Sequence, residues 1–165
     1  MSKHLYLLRH GNSPFGEFSD KERVLSEQGC RDVLTISAQL KKKGIRPDLI
    51  CCSTAQRTRQ TAQHLTESWA VRSDLIQYDE RLYNASLESL IYFVREFNDN
   101  INSVLIIGHN PGLSELVQFG DGESYCQEHG FTGLTTSSFA HLELIVPWSK
   151  FNMGQSRVLE LLNRE

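Results

Sequence analysis

The sequence predicts an α/β fold built on a mostly parallel central sheet with helices on both faces. Three observations carry this. Strand-length apolar runs alternate along the chain with segments of helical period. The runs are almost continuously apolar, as expected of strands buried on both sides. At 165 residues the chain matches one domain, 1–165, with no internal repeat, low-complexity tract or linker to divide it.

The first strand is expected over 4–9, ending in Arg9, His10 and Gly11. A helix follows over 26–43, with Val33, Ile36 or Ser37, and Leu40 on one side and Gly44 as the breaker. "DLICCS" (48–53) reads as a second buried strand, and a helix runs on from about Thr54 to Trp69. In 86–97, Leu87, Leu90, Ile91, Val94 and Phe97 fall on one helical face. "SVLIIG" (103–108) is a third buried strand. The next helix is expected to have Asn110 as its side-chain cap and Pro111 as its first residue, where no N–H is needed. Two further strands are expected at 137–146 and 156–162.

Composition narrows the function classes. Net charge is -3, and Lys41, Lys42 and Lys43 form the one cationic run, at a helix end. Nucleic acid is therefore not an expected partner. No apolar run approaches the roughly 20 residues of a membrane span, and the N-terminal run is too short for a signal peptide. A cytoplasmic protein without membrane partners is expected. Cysteines stand at 30, 51, 52 and 126 without metal-ligand spacing; Cys51 and Cys52 read as small buried residues, and no metal site is expected.

In open α/β sheets, ligands bind beyond the carboxyl ends of the strands. The first strand delivers Arg9, His10, Gly11 and Asn12 there; the second delivers Ser53 and, one helical turn on, Arg57; the third delivers His109 and Asn110. Two arginines and two histidines suit a dianionic phosphoryl group, since guanidinium forks donate paired charge-assisted hydrogen bonds. Gly11 would bring backbone N–H groups close. Neighbouring cations would keep His10 neutral and nucleophilic. Taken singly, each residue has a plainer explanation as a structural or solvated side chain. Their shared position at strand exits lifts His10, Arg9, Arg57 and His109 above it, and leaves His4, His64, His129 and His141 as structural residues.

Together these segments resemble the histidine phosphatase (phosphoglycerate mutase-like) superfamily. "LYLLRHGNS" resembles its Arg-His-Gly signature, "CSTAQRTRQTA" its Ser-x-x-x-Arg segment, and "SVLIIGHNPGLSELV" its second-histidine segment. "LSEQGCRDV" resembles the helix start after the signature, and "TTSSFAHLEL" the closing strand region. The short chain looks most like the SixA-type phosphohistidine phosphatases. The resemblance implies a three-layer α/β/α sandwich, phosphorylation of His10, and a phosphate clamp of Arg9 and Arg57 with His109 as the second pocket histidine. Gly11, Asn12, Ser53 and Asn110 would complete the substrate site, and no cofactor is implied. The partner implied is a phosphoryl substrate, such as a phosphohistidine-bearing signalling protein.

Larger members of that family carry a glutamate acid between the second and third segments. Here that region reads "YDERLYNASLESL", where Glu80 is the nearest positional match and Glu88, at a helix start, the next. An alkoxide leaving group needs such an acid. Imidazole, with a pKa of roughly 6.5, needs much less help. The expected activity is thus a phosphatase favouring phosphohistidine. The alternatives are a small-molecule phosphomonoesterase and a non-catalytic phosphate-binding module.

Overall fold

The computed structural model describes residues 1–164. Its chain order is β1 (Lys3–Arg9), α1 (Glu27–Lys42), β2 (Leu49–Cys52), α2 (Gln56–Trp69), β3 (Ile76–Tyr78), α3 (Leu87–Arg95), β4 (Ser103–Gly108), α4 (Gly112–Asp121), α5 (Ser124–Glu128), β5 (Phe139–Leu144) and β6 (Ser156–Leu162). The strands form one sheet in the order β3-β2-β4-β1-β5-β6. β3, β2, β4 and β1 run parallel, and β5 and β6 close the sheet antiparallel.

The continuous apolar runs follow from this burial. Leu5, Leu7, Val104 and Ile106 point into a core shared with α3 and α4. Tyr6, Leu8, Leu105 and Ile107 point into a second core with Val33, Ile36, Leu40 and Leu65 of α1 and α2. Alternate residues of Leu5–Leu8 in β1 and Val104–Ile107 in β4 feed opposite cores, so neither face of these central segments is free to be polar. The result is three layers, as expected. Cys51 and Cys52 are buried, and burial pushes both thiols up to about 12. Among the described residues, no helix is long and apolar enough to cross a membrane.

Several element ends differ from expectation. α1 starts after Ser26, whose hydroxyl accepts the Gly29 N–H at 3.0 Å, and Gly44 adopts φ +70° beyond its end. α4 begins one residue later than expected: Pro111 occupies the cap position and Gly112 opens the helix. Asn110 is held outside it because its Nδ2 donates to the Leu134 carbonyl at 2.7 Å. Its Oδ1 still accepts the Ser114 N–H, at 3.3 Å. The strand expected at 137–146 is trimmed to Phe139–Leu144, since the Ser137 N–H turns to the His10 carbonyl at 3.0 Å. β3 and α5 were not expected; three and five residues are too short to show a period.

Candidate active site

Strand register assembles the site. β1 and β4 are paired so that Arg9 lies opposite Gly108, and β2 and β4 so that Cys52 lies opposite Ile107. The ladder continues one step further, with the His10 N–H donating to Gly108 O at 3.2 Å and Ser53 N–H to Ile107 O at 3.0 Å. His10, Ser53 and His109 therefore leave three adjacent strands side by side. The rings of His10 and His109 lie 5.3 Å apart, centroid to centroid. Arg57, the second residue of α2, reaches the same place and is 3% exposed.

Hydrogen bonds fix the state of both imidazoles. His10 Nδ1 sits 2.7 Å from the Gly11 carbonyl oxygen, which can only accept, so Nδ1 carries the proton and Nε2 keeps its lone pair. Burial, and then the guanidiniums of Arg57, Arg9 and Arg23, hold its pKa down to about 4 against the opposing pull of that carbonyl. His109 Nδ1 faces Arg57 Nη2 at 3.2 Å, and a guanidinium can only donate. The proton of His109 is then on Nε2 and is donated to Ser53 Oγ at 2.7 Å. Burial, followed by His10 and Arg57, lowers its pKa to about 3. Near neutrality both rings are neutral, and His10 presents an unprotonated Nε2.

A cavity of about 340 Å³ opens over these residues. Arg9, Arg23 and Arg57 line it against a single carboxylate, Asp20, an excess of two positive charges suited to a phosphoryl dianion. Arg9 donates to the Leu134 carbonyl at 3.0 Å and Arg57 to the Asp20 carbonyl at 2.7 Å. Each also keeps a buried Nε–H without a protein acceptor. Asn12 and Asn110 line the cavity too, and Asn12 Oδ1 accepts from the Ser26 hydroxyl at 2.8 Å.

Four expected residues lie outside the cavity lining, and Ser53 is one: fully buried, it meets His109 through its Oγ and not the cavity. Gly11 donates its N–H to Thr61 Oγ1 at 3.1 Å, not towards the cavity. A Cβ there would come within 3.0 Å of the Gly29 carbonyl and of Val33 Cγ2, so helix packing, not phosphate approach, requires the glycine. Its carbonyl serves the site by setting the His10 tautomer. Glu80 lies outside the cavity lining, ion-paired with Lys21 at 2.5 Å and accepting from the Thr54 hydroxyl. Those two partners, Lys21 first, hold its carboxyl below the usual range, so it is ionised and cannot donate a proton near neutrality. Glu88 is exposed in the first turn of α3, also outside the lining.

The sequence reading missed Asp20, Arg23 and Tyr83. Asp20 ties Arg57 and Arg23 together, at 3.2 and 3.1 Å, and accepts from the Tyr83 hydroxyl. That hydroxyl first, then Arg57 and Arg23, lowers its pKa to about 2. The ring of Tyr83 packs edge-on against His109 at 5.6 Å. Asp20 and Arg23 sit in an aperiodic charged loop; the only available sign was a concentration of charge and aromatics directly after the His10 segment.

Comparison with known proteins gives a consistent picture. A sequence model described as the histidine phosphatase superfamily (branch 1) matches residues 5–90. The chain is 32% identical over 110 residues to an uncharacterized Mycobacterium tuberculosis protein, spanning 66% of that protein's length and 66% of its own. It is 28% identical over 120 residues to the phosphohistidine phosphatase SixA of Escherichia coli, covering 68% of this chain and 71% of the relative. A solved structure of a candidate phosphohistidine phosphatase SixA from Agrobacterium tumefaciens superposes with a TM-score of 0.83 at 28% identity, covering 97% of both chains. A mycobacterial glucosyl-3-phosphoglycerate phosphatase shares the fold, with a TM-score of 0.67 at 16% identity over 96% of this chain and 98% of that one.

Proposed function

The chain belongs to the histidine phosphatase superfamily, and on that premise we propose that it is a phosphatase whose favoured substrate is phosphohistidine on a protein. The observation that carries the mechanism is the fixed tautomer of His10: Nδ1–H on the Gly11 carbonyl, and a free Nε2 in an arginine-lined cavity. In the first step the substrate ring carries a proton on its other nitrogen, and Nε2 of His10 bonds to phosphorus as the substrate P–N bond breaks, its electron pair leaving with a neutral imidazole. Water then attacks phosphorus, giving up a proton to a phosphate oxygen or to solvent, as the P–Nε2 bond breaks and its pair returns to the His10 ring, which is neutral again with its proton on Nδ1. Arg9, Arg57 and Arg23 hold the phosphoryl oxygens throughout, which is commonly the largest catalytic contribution.

The substrate preference follows from what the cavity does not offer. Its one carboxyl group, Asp20, is held ionised at a pKa of about 2 and has no proton to give. An alkoxide would leave unassisted, whereas imidazole is a weak base that needs little help. The relationship to Escherichia coli SixA, named a phosphohistidine phosphatase, supports the same substrate. A second reading, hydrolysis of a small phosphate ester, is favoured by the cavity volume of about 340 Å³, room enough for a metabolite. A panel of phosphohistidine protein, phosphoramidate and sugar phosphates, assayed with wild type and His10→Ala, separates the two. We expect turnover of the P–N substrates first and an inactive His10→Ala protein. Preference for the P–O esters overturns the substrate, and undiminished His10→Ala activity overturns the mechanism.

A further inference from the structure

The loop that follows His10 carries three apolar side chains with no core to enter. Phe15 is 86% exposed, Phe18 63% and Val24 41%. They are spread over two concavities whose linings alternate along the chain: Asp20, Arg23 and Arg57 line the catalytic cavity, and their chain neighbours Lys21, Val24 and Gln56 line the other. Phe15 stands on the wall of the catalytic cavity. Phe18 and Val24 line a separate open groove of about 470 Å³, together with Lys21 and Glu22 and with Thr54 and Gln56, which follow closely on the strand exit at Ser53. Residues joined in the chain thus divide between the two linings, which places the groove next to the cavity that holds His10.

The loop is fastened rather than free. The Arg23 guanidinium stacks on the Phe15 ring at 4.2 Å and donates to the Ser13 carbonyl at 2.6 Å. Ser13 Oγ donates to the Val24 carbonyl at 2.7 Å, and Arg57 holds the Asp20 carbonyl at 2.7 Å. Pre-ordered apolar groups bind at small entropic cost, and exposed aromatics beside a pocket are typical binding anchors.

We propose that Phe18 and Val24 form a docking shelf for the polypeptide that carries the phosphohistidine, taking an apolar side chain that flanks it. The proposal rests on the protein-phosphohistidine reading above and adds the determinant of carrier choice. A phosphorylated metabolite would be held within the catalytic cavity, and its polar groups would gain nothing from the groove's phenyl and isopropyl surfaces. A polypeptide must continue out of the cavity and has apolar side chains to cover them.

The test uses three probes: a phosphohistidine peptide flanked by leucines, the same peptide flanked by serines, and free phosphohistidine. Wild type should show a kcat/KM about tenfold or more higher on the leucine peptide than on the serine peptide, mostly through KM. Phe18→Ser combined with Val24→Ser should erase that preference and leave hydrolysis of free phosphohistidine unchanged. A variant that keeps the preference, or loses activity equally on all three probes, overturns the shelf. So does a variant that changes only self-association in sedimentation, which would assign the surface to a second copy of this chain. Wild-type inactivity on all three probes overturns the substrate reading and the shelf together, whereas a retained preference overturns the shelf alone.

Discussion

The Gly11 carbonyl accepts the Nδ1–H of His10 at 2.7 Å, and because a carbonyl can only accept, the ring meets an incoming phosphorus through Nε2. Arg57 does the matching work at His109, placing that ring's proton on the side of Ser53. A buried guanidinium thus has two duties, binding the phosphoryl group and orienting the second imidazole. Arg57→Ala should lower kcat by about 10²–10³, the range for losing a preorganised oxyanion donor. A steady-state assay checks this, and a change below about threefold would remove Arg57 from the transition state. The convergence of Arg9, His10, Arg57 and His109 on one cavity was legible in sequence, because each ends or follows an apolar strand at a short offset. Glu80 was not: its position suggested an acid, but Lys21 and Thr54 claim the carboxylate outside the cavity. That pairing depends on tertiary placement, which spacing does not encode.

Among the elements, α1 shows how packing reaches the chemistry. Its Gly29 lies against the loop that leaves β1, and a Cβ there would fall 2.3 Å from the Asn12 carbonyl oxygen. That atom is backbone and cannot swing away. Alanine is intrinsically the better helix former by about 1 kcal/mol, yet Gly29→Ala should destabilise by about 1–3 kcal/mol through overpacking. It should also reduce activity, because Asn12 is two residues from His10. Urea unfolding and a phosphatase assay read the two effects; a stabilised, fully active variant would contradict this account of the packing. The strands and helices with a clear period, including the face of α3 and the Gly44 end of α1, were readable from local sequence. The start of α4 was one residue off, since the contact between Asn110 and Leu134 that sets it joins residues distant in the chain.

Across the molecule, the cavity is assembled from five separated stretches: the β1 exit with its following loop, the start of α2, Asn84 before α3, the β4 exit, and Thr136 before β5. Topology makes the three strand exits converge, which the alternating pattern predicted. The closing loop, with Asp20, Arg23 and the apolar shelf, has no period, and its conformation is decided by partners such as Arg57 and Tyr83. The same site links stability to pH. His10 and His109 titrate at about 4 and about 3 when folded and near 6.5 when unfolded. The unfolded chain binds more protons below pH 6.5 or so, so stability is fully present above that value and falls as pH drops towards about 4. Asp20, depressed to about 2, adds loss of the same sign at lower pH, as it protonates in the unfolded chain first. The unfolding free energy from urea titration should therefore decline from about pH 7 to pH 5, by up to about 1.4 kcal/mol per pH unit for each proton, with His141, held down to about 4 by burial, adding to the same slope. A flat free energy over that interval would mean that these rings are not held neutral.

Phosphoryl transfer to Nε2 of His10 leaves a phosphoenzyme that can be trapped. Wild type mixed with radiolabelled phosphoramidate and quenched within the first turnovers should carry label that is stable in base and lost in acid, as a phosphorus–nitrogen bond is. Peptide mapping should place it on His10, and His10→Ala should take up none. Turnover without any trapped label, or label on a residue other than His10, would contradict the account.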